Sequence, residues 1–345
     1  MARLSQLRLS MAASILIASI IFTAFLGVIV YLLQLSPIFA VVGAVMFILL
    51  QYLIGPAIVR SSTKLRYLRS GEHPWLESTV TELTTKSGIP APKLAIVSDP
   101  TPNAFVFGRT TRDATLAVHE GLLTQLNKEE VRGVIGHELG HIKHKDFLVM
   151  TALSSLPLIA YLIWLVTYPA ARLMTRVGRK KEGAYIRVVL WLVAIVSYVV
   201  YIVSLLCVMR LSRLREHYAD AYSAYVTESP RDLESGLTKI TYGLSLAPKP
   251  PHGARTLYIG DPALAKQEFQ GIMKRKQEYD LDKDGVLDER ELELAMEREA
   301  KSTWTTINTW FATHPATYQR ILLLREIEKE METGRYSSKR IYTKI

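Results

Sequence analysis

Two histidines and a glutamate in Val134-Ile135-Gly136-His137-Glu138-Leu139-Gly140-His141 carry the chemistry most directly read from this chain. On a helix, histidines at i and i+4 point the same way, and both rings reach one zinc ion at about 2.0 to 2.1 Å. Glu138 then lies beside the metal, placed to take a proton from water there. The bland alternative is a surface helix whose histidines are merely polar. The preceding residues predict that the motif is helical. Asn127-Lys128-Glu129-Glu130 supplies an N-cap and an acid three residues later, and Val131, Ile135, Leu139 and Ile142 follow at helical spacing.

A catalytic zinc needs a third protein ligand and an open position. Glu216, in Arg213-Leu214-Arg215-Glu216-His217-Tyr218-Ala219-Asp220, is the candidate. Asp220, one turn on, can orient a ligand histidine through its other ring nitrogen. Asp146 and Glu120 compete for the third place, and both read as solvated carboxylates. His119 has no spacing relation to another histidine and reads as a structural or exposed strand-end residue.

The elements that must position these groups are largely apolar. Of the 345 residues, 49% are hydrophobic, which puts a membrane class first. Met11–Leu33, Ile38–Val59, Phe147–Pro169 and Val188–Met209 are each long enough to span hydrocarbon. Ser36-Pro37 starts the second helix, and Pro157 is a place for the third to kink. The first window exceeds a signal-peptide core, and a second span follows it. His137 and His141 precede the third span and Glu216 follows the fourth, so two crossings return Glu216 to the same face. Cys207 is the single cysteine, which excludes an intramolecular disulfide.

The net charge of +10 is concentrated where spans end, as at Arg60, Lys64, Arg66, Arg69, Lys143, Lys145, Arg210, Arg213 and Arg215. Anionic lipid headgroups, not nucleic acid, are the partner this implies. The uncharged turn Gln34–Pro37 reads as the outer side of a multi-pass plasma-membrane protein. Arg60–Asp146 and everything after Met209 then face the cytoplasm. Arg172, Arg176, Arg179, Lys180, Lys181 and Arg187, between the third and fourth windows, pull the other way; either that pair is a re-entrant hairpin or its loop is an exception. Tyr52, Tyr168 and Trp191 read as interfacial anchors. Lys93–Ser98, Ala104–Arg109 and Thr115–Val118 read as a small antiparallel sheet.

Taken together, H-E-L-G-H after a capped helix start, R-E-H-Y-A-D after a hydrophobic hairpin and two N-terminal spans resemble the HtpX-type membrane zinc metallopeptidases over nearly the whole chain. These are gluzincins related to the CAAX prenyl endopeptidases. The resemblance implies one zinc per chain on His137, His141 and Glu216, with Glu138 as general base and Asp220 in support. Pro102–Gly108 resembles the family's N-A-F edge strand, implying that an extended substrate pairs along it and touches Asn103, Ala104 and Phe105. Thr313-His314-Pro315 resembles the late T-H-P element, implying that His314 lies near the site and stabilises the oxyanion. Local sequence also fits a turn asparagine at 103 and an N-cap-region histidine at 314.

The expected architecture is a mainly α integral membrane protein: four transmembrane helices plus a cytoplasmic zincin-like catalytic domain with the small sheet. Residues 1–60 hold two spans, 61–146 the sheet and HELGH helix, 147–209 a transmembrane hairpin, and 210–345 the rest of the catalytic domain. The implied activity is hydrolysis of misfolded or damaged membrane proteins in stress-related quality control. One alternative is a non-catalytic zinc-binding interaction protein, against which an intact Glu138 argues. The other is a maturation peptidase for lipidated substrates.

One motif lies outside the resemblance. Asp280–Glu291 fits an EF-hand loop, with Asp280, Asp282, Asp284, the Val286 carbonyl, Asp288 and Glu291 as calcium ligands and Gly285 at the sharp turn. It reads as an EF-hand-like insertion at about 262–302. An acidic helix-helix turn that binds nothing tightly is the alternative. Single loops of this type usually pair, which leaves a homo-oligomer open.

Overall fold

The computed structural model describes residues 2–34, 36–177, 183–246, 257–283, 289–300 and 312–334. In chain order the elements are α1 (Ala2–Leu32), α2 (Pro37–Thr63), β1 (Arg66–Tyr67), α3 (Pro74–Ser87), β2 (Lys93–Val97), β3 (Ala104–Phe107), β4 (Thr115–His119), α4 (Glu120–Gln125), α5 (Lys128–Lys143), α6 (Asp146–Val177), α7 (Ala184–Thr227), α8 (Pro230–Leu246), α9 (Pro262–Lys274), α10 (Lys276–Tyr279), α11 (Glu289–Ala300) and α12 (Thr317–Glu332). Among them α1, α2, α6 and α7 are long and apolar enough to cross a membrane. At ~1.5 Å per residue, α7 is roughly 66 Å long against ~30 Å of hydrocarbon, so it is longer than one crossing requires.

By contacts the chain forms two units. One comprises Arg8–Gly55 and Leu148–Leu211. Its core joins Ala18, Phe22, Phe25 and Ile29 of α1 to Leu153, Leu156 and Ala160 of α6 and Val189 and Val193 of α7. No residue of α2 is buried, so its apolar side chains face outward, as a lipid solvent allows. Pro157 and Pro169 both lie inside α6, which continues through them. Tyr168 and Trp191 meet edge to face at 5.8 Å.

The other unit comprises Met1–Leu7, Pro56–Phe147 and Ser212–Ile345. Its sheet runs β1-β2-β4-β3. The expectation of an antiparallel sheet needs correction: β2 pairs with β4 in parallel, while β1–β2 and β3–β4 are antiparallel. The physical reason is that β3 returns on β4 as a hairpin, which leaves the other side of β4 for β2 and makes β3 the edge. Strand-rich residues show where strands lie but not which neighbour each one chooses.

The HELGH helix lies at the centre of this unit. Val131, Val134, Ile135, Leu139 and Ile142 of α5 pack into one core with Leu76 and Leu83 of α3, Leu116 of β4, Tyr222 and Val226 of α7 and Leu233 and Leu237 of α8. Its start is the full reciprocal cap: Asn127 Oδ1 accepts from Glu130 N–H at 2.8 Å, and Glu130 Oε2 accepts from Asn127 N–H at 2.9 Å. Glu130 Oε1 also accepts from Ser235 and Lys239 of α8, each at 2.6 Å, so one carboxylate both caps α5 and pins α8.

Candidate metal centre

Glycine lets α5 and α7 approach closely enough to share a site. A Cβ at Gly136 would stand 2.9 Å from Ser223 Oγ, and one at Gly140 3.2 Å from Ala219 Cα. Ser223 Oγ donates across the seam to Gly133 O at 2.6 Å. With the backbones this close, the His137 and His141 side chains meet Glu216 and Asp220.

Two imidazole nitrogens and one carboxylate converge there. His137 Nε2 and His141 Nε2 are 3.1 Å apart, His137 Nε2 is 3.4 Å from Glu216 Oε2, and His141 Nε2 is 3.4 Å from Glu216 Oε1. Ligands at about 2.0 to 2.1 Å from a tetrahedral zinc are about 3.3 Å from one another, so these separations match those between zinc ligands. Glu216 Oε2 is buried and has no hydrogen bond among the described residues, though His137 Nε2 and His314 Nδ1 are 3.4 and 3.3 Å away. The charges fit as well. Glu138, Glu216, Asp146 and Asp220 are four buried carboxylates, set against the guanidiniums of Arg215 and Arg320. With both imidazoles neutral, as metal ligands must be, a dication would balance the remaining two negative charges. His137, Glu138 and His141 also present ligand atoms within 4.8 Å of one another.

Each histidine has a carboxylate on its other ring nitrogen. His137 Nδ1 is 2.9 Å from Asp220 Oδ1, and His141 Nδ1 is 2.6 Å from Asp146 Oδ2. Burial and Arg320 disfavour charge on His137, but its contacts with Asp220 and Glu216 outweigh them and raise its pKa to about 9. Burial pushes His141 down and Glu138 up from their ordinary values. A carboxylate whose affinity for a proton is raised is suited to taking one up.

Several expectations change in the structure. Asp146, expected to be a solvated carboxylate, is buried between His141 and Arg215. Lys145, between α5 and α6, takes the left-handed conformation, φ 57°, immediately before Asp146. Arg320, which no sequence motif singled out, is 1% exposed and grips Asp220 with two hydrogen bonds, Nε to Oδ2 at 2.9 Å and Nη2 to Oδ1 at 2.7 Å. Its Nη1 donates to Ile259 O at 2.5 Å. A charged residue at the inward spacing of an amphipathic helix was the available signal: Arg320 shares the buried face of α12 with Ile321, Leu324 and Ile327.

His314 is buried with Nδ1 3.3 Å from Glu216 Oε2, which places it at the site. His119 is a buried structural residue with Nδ1 3.1 Å from Thr101 O. Asn103 is 1% exposed, and its amide holds the chain's own backbone: Nδ2 donates to Leu257 O at 3.0 Å and Oδ1 accepts from Ile259 N–H at 2.9 Å. The side chains of Ala104 and Phe105 are also buried. Asn103 O accepts from His119 N–H at 2.9 Å, so antiparallel alternation turns the backbone of Phe105 and Phe107 toward β4 and that of Ala104 and Val106 toward the sheet edge. Glu120 is exposed and accepts from Ser98 Oγ at 3.0 Å.

In the 280–291 loop, Asp280, Asp282 and Glu291 present carboxylate oxygens within 4.8 Å of one another. Glu291 is 4% exposed, and its Oε1 accepts from Leu281 N–H at 2.6 Å. Asp284, Gly285, Val286 and Asp288 lie outside the described residues.

Residues 70–328 match the model of peptidase family M48. The protease HtpX homolog of Methanothermobacter thermautotrophicus is 38% identical over 250 residues, 71% of this chain and 90% of that one. Protease HtpX homolog 2 of Methanosarcina acetivorans is 31% identical over 323 residues, 90% of this chain and 95% of that one. The crystal structure of S. mikatae Ste24p matches with a TM-score of 0.47 and 14% identity, covering 94% of this chain and 67% of that chain, a likeness too remote to bear on the fold. The breadth of the family match and the identity to these relatives show that the chain belongs to peptidase family M48, on its HtpX-type membrane branch.

Proposed function

We propose that this chain is a zinc-dependent endopeptidase of the plasma membrane that hydrolyses misfolded or damaged membrane proteins from the cytoplasmic side. The observation that carries the reading is the convergence of His137 Nε2, His141 Nε2 and Glu216 at 3.1 to 3.4 Å, with Glu138 on the same helix. A zinc ion held there would polarise the scissile carbonyl and lower the pKa of its water toward neutrality. Glu138 takes the proton from the attacking water and returns it to the leaving amine. His314, beside Glu216, donates to the oxyanion as it forms. Ala104 and Val106 offer their backbone groups at the sheet edge to an extended substrate, while Asn103 holds the 257–259 segment beneath that strand. Asp220 and Arg320 hold His137 in the tautomer that presents Nε2 to the metal.

Calcium belongs to the same reading as a separate cation on the 280–291 loop. The support is that carboxylates at the first, third and twelfth positions of the motif come within 4.8 Å of one another. The basic residues at span ends favour a bilayer with anionic headgroups.

The substrate class is tested by reconstituting the full chain in vesicles with a native membrane protein, a destabilised variant of it and a prenylated peptide. Faster cleavage of the destabilised protein supports quality control. Preferential cleavage of the prenylated peptide would replace this reading with maturation of lipidated substrates.

A further inference from the structure

The two ligand histidines are supported in the same way from opposite sides. His137 leans on Asp220, and Asp220 is held by Arg320. His141 leans on Asp146, and Asp146 Oδ1 pairs with Nη2 of Arg215, the residue immediately before Glu216. The second arrangement is local only at the histidine end: Asp146, the first residue of α6, follows His141 by five residues, while Arg215 lies in the second half of α7. Both side chains are at least nine-tenths buried, where an unpaired charge would be costly.

The geometry at His141 fixes one proton. With Nε2 facing His137 and Glu216, Nδ1 carries the hydrogen and donates it to Asp146 Oδ2 at 2.6 Å. Without that acceptor the ring is free to rotate or to place its hydrogen on Nε2, and either change removes a metal ligand. The left-handed turn at Lys145 is what returns the carboxylate to the ring, a conformation that a residue other than glycine adopts at some expense in free energy. Arg215 holds the other oxygen, so the carboxylate cannot swing out of line.

We infer that Asp146, held by Arg215, is a positioning residue that sets the His141 imidazole for the metal and ties the helix carrying His137 and His141 to the helix carrying Glu216. The inference rests on the zinc reading above and adds to it a support for the second histidine.

The test measures zinc affinity by competition with a chromophoric chelator, the absorption spectrum of the cobalt(II) form, and thermal unfolding, all on the full chain in detergent. Asp146→Ala is expected to weaken zinc binding by about 10- to 100-fold and to alter the cobalt spectrum. Asp146→Asn, which keeps an acceptor but loses the charge, is expected to fall between it and the parent. Asp146→Ala also strands Arg215, so Asp146→Ala/Arg215→Met is the control for folding. Its unfolding temperature should return toward the parent's while its zinc affinity stays low. Recovery of both in the double variant, or parental affinity and cobalt spectrum in all three variants, overturns the positioning role alone. A parent chain that takes up neither metal overturns the zinc reading and this inference with it.

Discussion

The HELGH centre and the 280–291 loop both gather groups that suit a cation, but they are built in opposite ways. The centre draws its donors from two helices, α5 and α7, surrounds them with Asp146, Asp220, Arg215 and Arg320, and buries all of these groups but His141, which is partly exposed. Its two imidazoles favour zinc. The loop is contiguous in sequence, its donors among the described residues are the carboxylate oxygens of Asp280, Asp282 and Glu291, and Asp282 is exposed, a set of the kind that hard cations take. The contrast teaches that a motif announces a site's ligands, while the groups that hold those ligands come from the fold.

If the two regions are separate cation sites, disturbing one should leave the other intact. The largest effect is expected from His137→Ala or Glu216→Ala, each of which should weaken zinc binding on the order of a thousandfold by removing one of three ligands. Calcium-dependent stabilisation should survive in both, as followed by unfolding with and without the ion. Arg320→Ala should cost about 3 to 5 kcal/mol in a denaturant titration, because it leaves Asp220 buried without its guanidinium. At a calcium concentration 100 times its Kd the parent should gain about 2.7 kcal/mol, a gain that Glu291→Gln should abolish without changing zinc content. If chelating calcium also released the zinc, the separation would be wrong.

The smallest effect concerns Glu268 of α9, between the loop and the His314 segment. Its Oε1 accepts from Thr317 N–H at 3.2 Å, and burial pushes its pKa up to about 7. Between its ordinary value and about 7 the folded chain holds a proton that the unfolded chain has released. Stability should therefore fall as pH rises through that window and level off above it. A loss of roughly 1 to 2 kcal/mol is expected after solvent screening of a half-buried group. Glu268→Gln should flatten the curve in thermal melts across pH.

What the sequence made legible follows the same division. The α5 cap, the helical HELGH and the apolar spans depend on residues close in the chain, and each is readable from spacing. Glu216 was readable because it follows an even number of crossings. Asp146 was not, since its burial depends on the turn at Lys145 and on Arg215, which is distant in sequence. Arg320 was hidden for the same reason, as was the parallel pairing of β2 with β4, which depends on β3 folding back first. The hold of Asn103 on Leu257 and Ile259 was hidden too, because nothing local to it shows those partners.

The central claim is that Glu138 acts as a base beside a zinc it does not bind. Zinc content and cleavage of an unfolded protein substrate, measured together on the purified full chain and on Glu138→Gln, test it most directly. One zinc per chain in both, with cleavage in the variant reduced at least on the order of a hundredfold, is the expected result. A zinc-loaded Glu138→Gln that cuts at the parent's rate, or a zinc-loaded parent that cuts no unfolded substrate, would contradict it.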